Sequence, residues 1–384
     1  MSVRKSLHQA WHGEPPGETD HALRPAECRS WPGPEFVLGR WPRGGLGALL
    51  DLALASSPRR AGGVRLRRVP SAGGRYPVEA HVVHRGTAWR YDPVRHSLVA
   101  PTTSALSTSD LRVVLSVNPY RTWWRYGPRS LPVLLLDLGH AVGALLAAAA
   151  ALDHPARATT GLGADVLAEW AGLPRAGAAW PGCAPEFPLA VVEIDAALPV
   201  PLATPDEHAP EPDFAAAPGK SWNQLIAALT ELGTGTRERV WQWGAPAPAV
   251  PDLLARTTAP WEAVTSGSAG PAELLRAAAP LSVGQVAMLR PARSELVADL
   301  APRSCGQPQL ARAGALLLAT GTVDPDPATA FDEHLGAGLA VHAAWLAATE
   351  LGLAARPVGC WIDTVLRAAA GPARLLHALA VGGA

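Results

Sequence analysis

Lysine is nearly absent from this 384-residue chain, with Lys5 and Lys220 as its two examples. Lysine-dependent chemistry therefore has almost no candidates, and positive charge rests on arginine. Net charge is lacking too. Lys+Arg and Asp+Glu both total 33, so no global field favours nucleic acid or a membrane surface. The four cysteines (Cys28, Cys183, Cys305, Cys360) are far apart in sequence. They form no CxxC or Cys/His cluster, which argues against zinc and against a disulfide framework. No charged segment followed by an apolar one opens the chain, so the expected location is the cytoplasm. The most apolar run, Leu131 to Leu152, is interrupted by Asp137, Gly139 and His140. It reads as a strand followed by a buried helix rather than a membrane span.

What is present is apolar residue, proline and glycine. A hydrophobic content of 48% supports real cores, and the length suggests two domains. Residues 1–45 read as an irregular N-terminal arm. Leu46 to Ser57 reads as a short helix. Glu79 to His84 and Trp89 to Tyr91 read as two strands around the turn 84–87, Leu131 to Asp137 as a strand, Ala141 to Leu152 as a buried helix, and Leu189 to Ile194 as a strand. Residues 197–220 form a Pro-rich acidic stretch, and a second Pro-rich stretch follows near Gly244. The expected domains are thus 46–196 and 266–384, joined by a linker with connecting helices over 197–265.

The stretch "RRVPSAGGRYPVEAH" (Arg67 to His81) gathers arginines, a hydroxyl and two glycines ahead of a strand. It can be a plain turn, with Pro70 and Pro77 fixing φ, or an anion-binding loop of backbone N–H groups and arginine. Arg75 is its best anion candidate. Tyr126 follows Trp123 and Trp124, so it belongs to an aromatic packing cluster or to a site. His140 reads as a capping or core histidine, and Arg95 and His96 as structural. Most of the 14 tryptophans read as core or interface.

The chain also repeats itself. "GHAVGALLAAAAALDHPARATTGLGADVL" (Gly139 to Leu167) aligns with "GLAVHAAWLAATELGLAARPVGCWIDTVL" (Gly338 to Leu366). Each has an Ala-rich helix, an apolar link, a glycine and then an expected helix ending in Val-Leu. Each is preceded by an apolar segment read as a strand. Duplication predicts two halves packed as an intramolecular pseudo-dimer.

Three stretches carry a resemblance. "VPSAGGRYPVEAHVV" with "WRYDPVRHSLV", "WRYGPRSLPVLLLDLGH", and "AATELGLAARPVGCW" together resemble the nitroreductase-fold, FMN-dependent azoline dehydrogenases of thiazole/oxazole-modified (thiopeptide- or microcin-type) peptide biosynthesis. The resemblance implies an α+β, nitroreductase-like fold with FMN at the interface of the two halves. Pro70, Ser71, Ala72, Gly73 and Arg75 would approach the flavin from one half, and Arg356, Pro357, Val358 and Gly359 from the other. Arg29, Ser30 and Arg40 are candidates for the phosphate motif of the first half. "PRSCGQP" (Pro302 to Pro308) is the candidate remnant of the loop in the second, so one working flavin site per chain is expected. The family's Lys-Tyr pair falls on Arg125 and Tyr126. Guanidinium cannot be the base, so Arg125 is expected to lower the Tyr126 pKa and make the phenol the base. The implied reaction oxidises thiazoline or oxazoline rings of a ribosomal precursor peptide, beside a cyclodehydratase and with O₂ regenerating the flavin. A homodimer of the chain is a further expectation. Alternatives are a nitroreductase-like NAD(P)H oxidoreductase for a small molecule, a cyclic-dipeptide oxidase, and a flavin-free peptide-binding scaffold.

Overall fold

The computed structural model describes residues 2–13, 24–61, 63–84, 86–103, 111–175, 177–195, 209–214, 219–235, 237–265, 272–289, 295–368 and 371–383. In chain order the strands are β1 (Glu35–Val37), β2 (Ser56–Ala61), β3 (Val64–Arg67), β4 (Val78–His84), β5 (Thr87–Asp92), β6 (Ser97–Thr103), β7 (Leu111–Val117), β8 (Ala156–Thr160), β9 (Phe187–Ile194), β10 (Arg239–Trp241), β11 (Gln285–Leu289), β12 (Ala315–Gly321), β13 (Ala354–Val358), β14 (Val365–Ala368) and β15 (Gly371–Gly382). The helices are α1 (Ser2–His12), α2 (Leu46–Ala53), α3 (Pro119–Tyr126), α4 (Ser130–Ala151), α5 (Ala164–Ala171), α6 (Lys220–Gly235), α7 (Val250–Ala255), α8 (Trp261–Val264), α9 (Ala272–Ala278), α10 (Glu295–Leu300) and α11 (Pro327–Glu350).

Two sheets carry the architecture. The first runs β1-β6-β5-β4-β7-β9-β8-β10. The second runs β11-β12-β15-β13, with β14 paired to β15. Every pairing within β4-β7-β9-β8 and within β11-β12-β15-β13 is antiparallel. In each set the long helix (α4 or α11) joins the second strand to the fourth, and the last strand in sequence (β9 or β15) inserts between them. The two halves therefore share one connectivity.

Both long helices start from proline-containing segments. Asp326 caps α11, its carboxylate accepting from the Ala328 and Thr329 N–H groups at 2.9 and 3.0 Å, with Pro327 in the first turn. Asn118 caps α3 in the same way, accepting from Tyr120 N–H at 3.2 Å. The helices α4 and α11 are buried nearly all round because they pack on each other and each on its own sheet. Their crossing is at Gly139 and Gly338, where any Cβ would run into the facing backbone.

Three expectations need correction. Leu131 to Asp137 is not a strand but the first two turns of α4. A continuous apolar run has no alternation to mark a strand, and Gly139 is the point of closest helix approach rather than a break. Residues 2–12 are not irregular. They form α1, whose Val3, Leu7, Ala10 and Trp11 are buried and which packs on α6. The segment ending in Val365-Leu366 is in strand β14, whereas its aligned counterpart is helix α5.

Of the Pro-rich acidic stretch, 197–208 and 215–218 lie outside the described residues. Within 209–214, Asp213 pairs with Arg29 at 2.8 Å and the Phe214 ring meets Tyr120 and Trp222. Among the described residues, one helical stretch, 119–151, is long and apolar enough to cross a membrane, and 94% of its most apolar window is buried inside the protein.

Candidate active site

A cavity of about 330 Å³ lies between the two halves. The first half supplies the 70–74 turn, Tyr76, Tyr126, and one face of α4 with Val133, Leu136, Asp137 and His140. The chain beyond residue 250 supplies Arg256–Thr258, Trp345 of α11, the stretch 356–360 and His377 of β15. Pro70, Ser71, Ala72 and Gly73 thus meet Arg356, Pro357, Val358 and Gly359 around one space, although some 280 residues separate the two stretches.

The 70–74 turn is held by its own chain and by α4. Ser71 Oγ accepts from Tyr76 N–H at 2.8 Å, and Gly74 N–H donates to Ser71 O at 3.1 Å. Gly73 has φ +59°, which a glycine adopts at no steric cost. The Ala72 N–H donates to Asp137 Oδ1 at 3.0 Å. Asp137 is buried, and its Oδ2 has no partner within the protein. Burial pushes its pKa well above the carboxylate range, against the smaller pull of the Ala72 N–H. Burial thus favours the neutral form of Asp137, and its Oδ2 is a hydrogen-bonding edge without a protein partner.

Arg75 does not line the cavity. Its Nε donates to Gly73 O at 2.8 Å and its guanidinium lies over the Trp124 ring. The first-half phosphate candidates are also engaged elsewhere. Arg29 is buried between Glu186 (2.5 Å) and Asp213 (2.8 Å), Arg40 pairs with Asp51 at 2.5 Å, and Ser30 lines a separate pocket of about 190 Å³ beside Cys28 and Asp92. Five arginines line the cavity (Arg59, Arg67, Arg68, Arg256 and Arg356), and among them Arg256 combines deep burial with two unpartnered nitrogens. It is 6% exposed, donates to Arg68 O, and stacks over Trp345 at 4.8 Å, while its Nε and Nη1 have no partner within the protein. Burial, and then the charge of Arg68, lower its pKa to about 9. An unpaired buried cation costs several kcal/mol, so this position suits an anion or a strong acceptor that arrives with the ligand. Sequence reading missed Arg256 because it sits in the poorly patterned 245–260 region. Its Arg-Thr-Thr run was the available signal.

Arg125 is exposed and does not line the cavity, whereas Tyr126 does. Burial raises the Tyr126 pKa, and the nearby Arg125 and Arg75 charges are too weak to reverse it. The net push on Tyr126 is toward the neutral phenol, which can donate a hydrogen bond. Its Oη lies about 3.0 Å from where a Gly73 side chain would begin, so a side chain there would crowd the hydroxyl.

His140 is not a helix cap. It sits in the middle of α4 and heads a buried trio. His377 Nδ1–H donates to Val358 O at 3.0 Å, which leaves His377 Nε2 as an acceptor. His140 Nε2–H therefore donates to it, at 2.8 Å. The bare His140 Nδ1 then faces His342 Nδ1–H at 3.4 Å, and His342 Nε2 is left buried without a partner. Burial depresses all three histidines, His377 to about 4, so the neutral tautomers are the ones that count. His96 is structural as expected, its Nδ1 bonded to Tyr91 Oη at 2.8 Å.

"PRSCGQP" is not the counterpart of the 70–77 loop. It precedes β12, where the first half carries the β5–β6 hairpin. The segment entering β11, Pro280 to Gly284, holds the equivalent place before the equivalent strand. There Val283 packs on Gly336 of α11 as the 70–74 turn packs on Asp137 of α4.

With the geometry in place, comparison defines the class. The model described as Nitroreductase family matches residues 257–383, which overlaps the second expected domain, 266–384. A protein described as a nitroreductase from Anabaena variabilis superposes with a TM-score of 0.73 at 17% identity, covering 100% of this chain and 99% of that one. The chain has the nitroreductase fold over its whole length, and residues 257–383 are the part that matches the family model. Likenesses to half of the chain extend to a protein described as a nitroreductase from Ralstonia eutropha (20% identity, 50% of this chain, 90% of that chain, TM-score 0.33). They extend also to the microcin synthetase McbBCD complex of E. coli with truncated pro-MccB17 bound (17%, 48%, 76%, TM-score 0.32). No curated protein matches the chain.

Proposed function

We propose that the chain is an FMN-dependent oxidoreductase built as an internally duplicated nitroreductase pseudo-dimer, with one cofactor site per chain. The cavity between its halves supports this reading because it offers what a flavin phosphate needs. It holds a buried arginine with two unpartnered nitrogens, a neutral acid with one free oxygen, and apolar walls at Leu136, Val358 and Trp345. In this reading Arg256 with Thr257 and Thr258 holds the anionic end, the 70–74 turn and 356–359 hold the ring, and Asp137 donates to a ring heteroatom. FMN would supply two-electron redox chemistry by accepting a hydride equivalent.

Duplication is supported by the shared connectivity and by the meeting of Gly139 with Gly338, the residues aligned by sequence. The single site is supported by an asymmetry at the sheet edges. β13 ends its sheet and borders the cavity, whereas the edge of the equivalent β8 is covered by β10. Trp241 of β10 is buried and its Nε1–H donates to Thr160 at 3.1 Å, while Arg239 pairs with Asp332 of α11 at 3.0 Å. In this reading β10 occupies the place where a second ligand would lie.

The substrate we propose is a thiazoline- or oxazoline-containing precursor peptide supplied by a cyclodehydratase, on the strength of the quoted motifs. Tyr126 then orients the ring and donates a hydrogen bond. The proton removed with the hydride must go to another acceptor. The test is incubation of the flavin-loaded protein with an azoline-bearing peptide under air. A mass loss of about two hydrogens per ring oxidised supports the assignment. Rapid bleaching of the bound flavin by NAD(P)H with no change in the peptide would move it to the small-molecule reading.

A further inference from the structure

Cys305 and Cys360 are 55 residues apart in sequence, yet their sulfurs are 2.7 Å apart and both thiols are free. Cys360 follows β13 and lines the cavity beside Gly359. Cys305 sits in the tight turn before β12, with φ +51° and half-exposed. That turn is fixed by Ser304 Oγ, which donates to Ala301 O at 2.7 Å, and by Gln307 Nε2, which donates to Ser304 O at 2.9 Å. Gln307 is itself a cavity residue.

We infer that Cys360 and Cys305 are a peroxide-reactive thiol pair, with Cys360 the attacking sulfur and Cys305 the resolving one. The geometry carries this: a nucleophilic thiol open to a cavity, with a second thiol already in place to meet its oxidised form. The Cys305 S–H and the nearby Arg129 charge favour the Cys360 thiolate, bringing its pKa to about 7 against the opposing effect of burial. The bond between the thiols pushes Cys305 in the opposite direction, upward.

The chemistry is balanced. The Cys360 thiolate attacks one oxygen of hydrogen peroxide, the O–O bond breaks, and hydroxide leaves and is protonated to water. The resulting Cys360 sulfenic acid is attacked by Cys305 sulfur, which forms the S–S bond and expels a second water. One peroxide is reduced by two electrons and two thiols are oxidised. The disulfide ties the end of β13 to the turn holding Gln307, fixing two neighbouring parts of the cavity wall. None of this requires the flavin reading, so the two fail separately.

The test uses the reduced full-length protein and hydrogen peroxide. Thiols counted after denaturation fall from the four cysteines of the chain by two and return with dithiothreitol, and non-reducing peptide mapping links Cys305 to Cys360. Cys305→Ser stops at a Cys360 sulfenic acid that dimedone traps, and Cys360→Ser leaves Cys305 unlabelled. An undiminished thiol count, a link through Cys28 or Cys183, or dimedone on Cys305 in Cys360→Ser overturns the assignment.

Discussion

Gly139 of α4 and Gly338 of α11 occupy each other's missing side-chain space. A Cβ on Gly139 would fall on the Leu335 carbonyl oxygen, and one on Gly338 on the Leu136 carbonyl oxygen. Each would also come within 3.0 Å of the other glycine's Cα. The reciprocity is that of a two-fold contact, since each glycine meets the carbonyl three residues before the other. Gly139→Ala and Gly338→Ala each gain helix propensity, about 1 kcal/mol. Both backbones must separate, however, and overpacking of this kind costs about 1–3 kcal/mol or more. We predict net destabilisation in both variants by urea unfolding, together with weaker FMN binding, because the cavity spans the same interface. An alanine variant as stable as the parent would show that the crossing is looser than described.

Arg256→Met separates binding from stability. Removing a buried, unpaired guanidinium relieves a desolvation cost, so the cofactor-free protein should melt at the same temperature or higher. Losing charge-assisted bonds to an anion should weaken FMN by about 10- to 100-fold in a fluorescence-quenching titration. Equal affinity would remove Arg256 from the site.

The pH dependence of cofactor-free stability has two opposed sources. Asp137 has a raised folded pKa, so its contribution is full below about pH 4 and is lost as pH rises through the folded value. His140, His342 and His377 have depressed folded values, so their contributions are full above about pH 6.5 and are lost as pH falls through the folded values, about 4 for His377. Each proton is worth at most about 1.4 kcal/mol per pH unit, so three histidines outweigh one aspartate on the acid side. Stability from these four groups therefore peaks near pH 6.5. Asp137→Asn keeps the acceptor for Ala72 N–H and should flatten the alkaline fall while steepening the rise on the acid side. Denaturation midpoints between pH 4 and 9 check this, and an unchanged alkaline slope in the variant would contradict it.

Tyr126→Phe should retain flavin and lose part of its turnover on the peptide, about 10-fold for one hydrogen bond to the reacting complex. Because burial raises the phenol pKa, the pH–rate profile below pH 9 should keep its shape. Disappearance of an ionisation near neutrality in the variant would restore Tyr126 as the base.

The stretches legible in sequence were those whose chemistry is local. The 70–73 turn was read from residue types and the 356–359 stretch from the family resemblance, and both line the one cavity. What escaped depends on the third dimension. Asp137 was read as a blemish in an apolar run, because no one-dimensional signal says that its carboxyl turns toward the 70–74 turn. Leu131 to Asp137 was misread because burial on every side erases periodicity. Cys305 and Cys360 looked isolated, since their contact is made only when β13 returns beside the turn preceding β12. Arg75 outranked Arg256 because motif proximity favoured it, whereas burial and missing partners single out Arg256.

The central claim is one flavin held between two unequal halves of one chain. The visible spectrum of the purified protein, with quantitation of flavin released on denaturation, tests it most directly. The account predicts a bound flavin spectrum and about one FMN per chain after reconstitution. About two per chain would show that β10 does not close the second place, and a protein that stays colourless in excess FMN would contradict the cofactor assignment altogether.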